Sequence, residues 1–268
     1  MNDYVIAVLL GIVEGLTEFL PVSSTGHLLV VENLLGLNDT NWEAFTVVIQ
    51  LGAILAVVAV FWRKFWDVLI GLPSEPKARH FAINIIVAFL PAAILGALLI
   101  KYLNAYLLNP VRAVPVIGAS WLIGGIVILI FERIAPRPRW EGTDNLPLSK
   151  ALQIGFCQCA ALIPGTSRSG ATILGGELLG VERTTAALFT FYLAVPTMLG
   201  ATVFELYQKR HELNSSNLTL IAIGFVVSFI VAYPVVTTFI RFISRYGLKP
   251  FGWYRVAVGI AALAMTVL

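Results

Sequence analysis

Charge is what this chain has least of. Only 12% of its 268 residues are charged, against 58% hydrophobic, and its mean hydropathy is +0.87. Soluble domains carry roughly 25% charged residues, so this chain has too few to keep a water-facing surface wet. No polar block of domain size interrupts the apolar runs, and residues 1–268 read as a single membrane domain. The net charge is only +3, with Lys and Arg gathered in loops. No basic stripe results, which excludes a nucleic-acid partner. Cysteine is nearly absent: Cys157 and Cys159 stand one residue apart, which suits neither a disulfide framework nor a zinc site. Both are expected to pack as small apolar side chains. The opening MNDYVIAVLLGIVEGL lacks a basic leader and a small-residue cleavage site, so no signal peptide is expected there.

Long apolar runs take the place of charge. A spanning helix needs about 20 mostly apolar residues, and six segments qualify: 44–62, 81–101, 112–132, 184–206, 217–240 and 251–268. Pro91, Pro115, Pro196 and Pro234 fall within them and are expected to kink them. Two further segments are shorter. Residues 3–20 carry Glu14 and Glu18 and run into Pro21; residues 149–163 carry Gln153 and Gln158 and run into Pro164. Both read as re-entrant half-helices, tolerated at membrane depth only where protein or a water-filled cavity covers the exposed backbone. Trp42, Trp62, Trp66 and Trp140 fall near the predicted interfaces and read as anchors; His80 and His211 fall in predicted, solvated loops.

Loop charge sets direction. Arg63, Lys64, Lys77, Arg79, Arg133, Arg137, Arg139, Lys150, Arg241, Arg245 and Lys249 share one side, against Lys101, Arg112, Lys209 and Arg210 on the other. The richer side is cytoplasmic, which puts both termini and the 21–43 region on the outer face.

The chain also repeats itself. GIVEGLTEFLPVSSTGH at 11–27 resembles GFCQCAALIPGTSRSG at 155–170. Gly11 aligns with Gly155 and Glu14 with Gln158; after the loss of one residue, Pro21 aligns with Pro164, Ser23 with Thr166 and Ser24 with Ser167. The register recovers at Leu34, Leu35 and Gly36 against Leu178, Leu179 and Gly180. Three spans separate the copies, so the second enters upside down. The expected architecture is all-α and membrane-embedded: about six spans and two re-entrant half-helices, with repeat 1 over about 3–133 and inverted repeat 2 over about 149–268.

Polar residues concentrate where the repeats break. Glu14 and Glu18, four apart, share one helix face. Two carboxylates at this depth are costly unless they bind metal, act on a substrate or are paired. In PVSSTGH, Ser23, Ser24 and Thr25 add donors at a helix start, Gly26 lets backbone approach a ligand, and His27 can move a proton or attack phosphorus. In PGTSRSG, Arg168 offers a fork that fits phosphate, while Ser167, Ser169 and Gly170 can form a second anion nest. A bland alternative is that Arg168 merely salt-bridges Glu18 and ties the repeats together. Gln50, inside the first span, is a further candidate.

Together these residues describe a phosphate site. Arg168 would neutralise a transferred phosphoryl group, and Glu18 with Glu14 would hold a divalent cation, Mg2+ or Ca2+. Ser24, His27 or an activated water would attack. With no soluble domain to deliver it, the substrate is expected to be a lipid entering between helices. The competing class is a transporter for a lipid phosphate or another anion, because secondary carriers also use inverted repeats with broken helices.

EGLTEFLPVSSTGH at 14–27 and PGTSRSG at 164–170 resemble the signature stretches of the bacitracin-resistance type of undecaprenyl-diphosphate phosphatase, and the likeness continues through FTVVIQLGAILAVV and GVERTTAALFTFYLAVPTMLGAT. The resemblance implies hydrolysis of undecaprenyl diphosphate to undecaprenyl phosphate, the carrier recycled in peptidoglycan synthesis. It also implies a divalent-cation requirement, bacitracin resistance, and a bacterial inner-membrane location with the site open to the outer face. It carries activity to Glu14, Glu18, Ser24, His27 and Arg168, and leaves the choice between Ser24 and His27 open. Assembly, including a homodimer, is also left open.

Overall fold

The computed structural model describes residues 2–37, 40–107, 112–208 and 218–266. His211, Lys209 and Arg210 lie outside them. The helices run α1 Asp3–Thr17, α2 Ser24–Leu35, α3 Thr40–Val60, α4 Trp62–Gly71, α5 Pro76–Tyr106, α6 Ala113–Ile134, α7 Leu148–Gln158, α8 Arg168–Leu178, α9 Arg183–Gln208, α10 Leu218–Tyr246 and α11 Lys249–Met265. Among the described residues the only β pairing is an isolated bridge between Trp140 and Val181.

Length and composition sort these helices. Pro76–Leu99, Ala113–Ile134, Arg183–Tyr207 and Leu218–Tyr246 are long and apolar enough to cross a bilayer. Phe45–Val60 joins them as a fifth if it is counted with Trp62–Gly71, from which it is bent by 73°. At 1.5 Å per residue, the 17 residues of α11 reach about 26 Å, the short limit for a core of about 30 Å. Faces of α5 and α6 expose Ile83, Ile86, Ile94, Leu98, Ile123, Ile126 and Ile130. Such surfaces suit lipid and not water, and the protein is an all-α membrane protein.

The half-length segments behave differently. The 15 residues of α1 and 11 of α7 span about 22 and 16 Å. Each stops at a turn, and the chain restarts as another short helix, α2 or α8. The packing runs crosswise: α1 lies on α10 and α7 on α5, while α10 lies on α3 and α5 on α9. Glycines permit this closeness. A Cβ at Gly15 would come within 2.7 Å of the Ser228 carbonyl, and one at Gly155 within 2.5 Å of the Ala88 carbonyl. The main core gathers Phe19, Ile54, Ile173, Phe191, Phe239 and Leu248 around α9 and α10.

Several expectations shift. His80 is not in a solvated loop: it is half-buried in the first turns of α5, hydrogen-bonded to the Leu146 carbonyl at 2.9 Å. That helix starts earlier than its apolar stretch because Pro76 supplies a favourable first position. Pro115 does not kink α6; it sits in the first turn, where no intrahelical N–H is required. Pro91, Pro196 and Pro234 do lie inside helices. Trp62 and Trp66 are exposed as anchors would be, but Trp42 packs edge-on against Phe45 beside α1. Cys157 and Cys159 are unpaired, as expected, with Cys157 pressed against Gly175.

One ion cluster was not foreseen. Arg183 bridges Glu132 at 2.8 Å and Glu177 at 3.0 Å, and Glu132 also accepts from the Leu248 backbone N–H at 2.7 Å. This ties the ends of α6 and α8 to the start of α9 and the α10–α11 turn.

Gly155→Leu should push α7 off α5 and lower stability by about 1–3 kcal/mol, seen as a lower Tm in detergent. An unchanged Tm would mean that the two helices are not in close contact.

Candidate active site

Both broken helices restart in the same way. Ser23 precedes α2 with φ +71°, and Ser167 precedes α8 with φ +71°; no other non-glycine residue among those described has positive φ. Each hydroxyl accepts from a backbone N–H three residues on, Gly26 at 3.3 Å and Gly170 at 3.1 Å. Left-handed backbone at a side-chain-bearing residue costs about 1–3 kcal/mol and persists where surrounding structure enforces it. The caps also correct the internal alignment. Ser23 corresponds to Ser167, not to Thr166, so Ser24 corresponds to Arg168 and Gly26 to Gly170. With Ser23 on Ser167 the offset is the same as for Gly11 on Gly155 and Leu34 on Leu178, so no residue is lost between the copies. Matching hydroxyl letters concealed this; backbone geometry reveals it.

The first residues of α2 and α8 therefore differ, hydroxyl in one and guanidinium in the other, and both converge on Glu18. Ser24 Oγ donates to Glu18 Oε2, while Arg168 Nη2 donates to Glu18 Oε1 at 3.1 Å. Arg168 is held further by the Thr190 carbonyl at 3.1 Å and by Met198 Sδ at 3.4 Å. Glu18 caps the C-terminus of α1, and Phe19 beyond it is buried edge-on against Phe191, which fixes the turn.

These groups line a cavity of about 500 Å3. Glu18, Ser23, Ser24, Thr25, Gln50, Gln158, Ser167 and Arg168, with Thr197 and Glu205, supply its polar wall; Ala92, Ala93, Gly96, Ala97, Leu162 and Ala201 are among its apolar wall. Of the candidates, Glu14, Gly26, Gly170 and Ser169 stand behind the lining, with Ser169 donating to the Leu20 carbonyl at 2.8 Å.

His27 is also outside the lining. Its Nδ1 lies 2.7 Å from the Ser23 carbonyl and its Nε2 2.7 Å from the Tyr254 hydroxyl. A carbonyl only accepts, so Nδ1 carries the hydrogen, and Nε2 of the neutral ring accepts from Tyr254. The ring stacks on Tyr254 and tilts against Trp121. Nε2 is thus engaged by Tyr254, outside the cavity wall, and Nδ1 by the backbone carbonyl of Ser23, itself a wall residue.

Glu14 is fully buried, and neither carboxylate oxygen meets a donor. Such a group takes up a proton or a cation. Among the described residues no group of three or more His, Cys, Asp and Glu forms a metal cluster. The oxygen donors nearby, carboxylate, amide and hydroxyl, are of the kind that hard cations prefer.

Some contributors were missed. Gln158 is 1% exposed, lines the cavity, and leaves its amide nitrogen unpartnered. Its alignment with Glu14 was the available signal. Thr190, Met198, Tyr254 and the buried Arg255 gave none, because ordinary helical segments carry them.

A helical membrane protein that sinks a carboxylate–hydroxyl–guanidinium cluster into an internal cavity belongs to the class of intramembrane proteins built to handle phosphate. The family described as bacitracin resistance protein BacA matches residues 7–261. The chain belongs to that family. It is 47% identical over 264 residues to an undecaprenyl-diphosphatase of Rhodopseudomonas palustris (strain BisB18), covering 98% of this chain and 97% of the relative. An undecaprenyl-diphosphatase of Novosphingobium aromaticivorans is 50% identical over 268 residues, covering 98% of each chain. One from Pseudomonas fluorescens is 47% identical over 258 residues, covering 96% of this chain and 92% of the relative.

Glu14→Gln replaces a buried, unpartnered carboxyl group with an amide that cannot ionise. In metal-free buffer it should stabilise the protein by about 1–3 kcal/mol, read as a raised Tm. A lower Tm would mean that the carboxylate already has a partner.

Proposed function

We propose that this chain hydrolyses undecaprenyl diphosphate to undecaprenyl phosphate and phosphate, with Ser24 as nucleophile. One observation carries the assignment of roles: the Ser24 hydroxyl and the Arg168 guanidinium meet on opposite oxygens of Glu18, at the wall of one cavity. The activity follows the relatives' names and their full-length similarity. Ser24 is favoured over His27 because His27 has both ring nitrogens occupied and does not line the cavity.

The chemistry follows. The terminal phosphoryl group takes the place of Glu18 on Arg168, whose fork spreads over its oxygens. The backbone N–H groups opening α2 and α8 add donors to the anion. Glu18 Oε2 takes the Ser24 proton as Oγ bonds to phosphorus, and the bond from phosphorus to the bridging oxygen breaks. The leaving group is undecaprenyl phosphate. Glu18 passes that proton to the departing phosphate and is a base again. It then deprotonates a water that attacks the phosphoserine; the bond from phosphorus to Oγ breaks, Oγ takes the proton back from Glu18, and inorganic phosphate leaves. Glu14 and Glu18 would hold a divalent cation, Mg2+ or Ca2+, which when bound draws negative charge off the diphosphate. The apolar wall suits the first isoprene units, and the remaining chain extends between helices into lipid.

The rest of the reading is topological. The crosswise packing of α1 on α10 and of α7 on α5 supports an inverted repeat, with α1–α2 and α7–α8 as re-entrant hairpins. Loop charge supports a site open to the outer face of the bacterial inner membrane. Every group named comes from a single chain, so the mechanism requires no second copy.

Purified protein in detergent should release phosphate from undecaprenyl diphosphate, and EDTA should stop it. Arg168→Ala should cost about 10²–10³-fold in kcat. Rapid acid quench should trap acid-stable phosphate on Ser24, absent in Ser24→Ala. Acid-labile phosphate would move the attack to His27. No release from folded protein across several divalent cations would favour a carrier, to be tested by lipid translocation in liposomes.

A further inference from the structure

Arg255 lies within α11, is 1% exposed, and forms no ion pair among the described residues. Its donors are spent on backbone. Nη1 donates to the Pro21 carbonyl at 3.2 Å and to Thr166 at 2.9 Å; Nη2 donates to Ser120 at 2.9 Å and to Gly165 at 3.0 Å; Nε reaches Trp121 at 3.5 Å. A guanidinium has five N–H donors, and here five carbonyls receive them.

The choice of carbonyls is informative. Pro21 belongs to the turn before Ser23, and Gly165 and Thr166 to the turn before Ser167. These turns come from opposite halves of the chain and bear the two strained caps. Ser120 and Trp121 lie on α6, so the guanidinium also fixes both turns to a spanning helix. A buried cation without a carboxylate partner is costly at membrane depth, and such residues are functional by default. Room for it is built in: a Cβ at Gly124 would fall 2.2 Å from Arg255 Nη2 and 2.7 Å from Cζ.

We propose that Arg255 is a positioning residue for phosphoryl transfer, holding the α1–α2 and α7–α8 turns at the one separation that lets Ser24 and Arg168 address the same phosphorus. The proposal rests on the phosphatase reading above. Ser24 and Arg168 ride on the helix starts that follow the tethered turns, so a displaced guanidinium moves one against the other. The lipid chain, which supplies much of the binding, is untouched. The loss should therefore fall on kcat, because a displacement of about 1 Å at reacting groups costs about 100-fold.

Two substitutions reach the guanidinium independently. Arg255→Lys keeps the charge and loses the fork. Gly124→Ala keeps the arginine and displaces it. A control on the same helix pair is Gly252→Ala, whose Cβ would meet Leu129 and Ile128 side chains instead of Arg255. Phosphate release from undecaprenyl diphosphate is measured beside thermal melts in detergent. Arg255→Lys and Gly124→Ala should each lower kcat about 100-fold with KM little changed, and the double variant should be no worse than the poorer single one. Gly252→Ala should lower Tm yet keep kcat. Wild-type kcat in folded Gly124→Ala or Arg255→Lys would overturn the proposal. So would a Gly252→Ala variant that loses as much kcat as Gly124→Ala. If Arg255→Lys does not fold, Gly124→Ala against Gly252→Ala decides alone. Inactive wild-type protein would overturn the phosphatase reading first, and this proposal with it.

Discussion

Backbone carbonyls exposed where two helices break must be satisfied in a setting that offers little water. Most of the structure follows from how that is done. An unbroken helix satisfies its own carbonyls, but a helix that stops at membrane depth leaves several without partners. Here one guanidinium collects carbonyls from both breaks, Pro21 on one side and Gly165 and Thr166 on the other, and anchors them to α6. Serine side chains complete the work: Ser169 reaches across to Leu20, and Ser23 and Ser167 cap the restarting helices. Polar groups that would otherwise be costly thus become the frame of a cavity.

The frame has near-symmetric parts and asymmetric chemistry. Both restarts share a cap, a positive φ and a glycine N–H three residues on. At the first helical position one presents Ser24 and the other Arg168; on the preceding helix one presents Glu14 and the other Gln158. Two helix starts meet at one place, and the difference at their first positions separates hydroxyl from cation, which acid–base and phosphoryl chemistry need as distinct partners. The Glu18–Arg168 ion pair holds the halves together at rest and also stations the guanidinium that a phosphate would claim. The structural and the functional account of that pair are one account.

Much of this was legible in the residues. Four of the six apolar runs fall on helices long and apolar enough to cross a bilayer, with ends displaced by up to six residues, and Pro21 and Pro164 marked the breaks. Glu14, Glu18, Ser24 and Arg168 stood out because ionisable and hydroxyl groups are rare in such a chain. The ambiguities arose where letters permit more than one geometry. His27 sits in a motif rich in chemistry, yet its ring turns toward Tyr254 and Trp121, residues far away in the chain. Pro115 reads as a kink until the start of its helix is known. Ser23 and Ser167 share the offset of the flanking pairs, but matching Pro21 to Pro164 hides this until both are seen with the same left-handed backbone.

The amino-acid sequence by itself determined that this protein lives in a bilayer, is helical, breaks two of its helices, and places its few polar groups at those breaks. Local composition decides these things, because the cost of burying charge and backbone is paid residue by residue. Which polar group meets which was decided by tertiary structure. Arg255 lies in an ordinary-looking span, and nothing in its neighbours along the chain points to Pro21 or Thr166. Hydrogen-bond partners depend on positions in space to within tenths of an ångström, and those arise only when helices from both halves pack together.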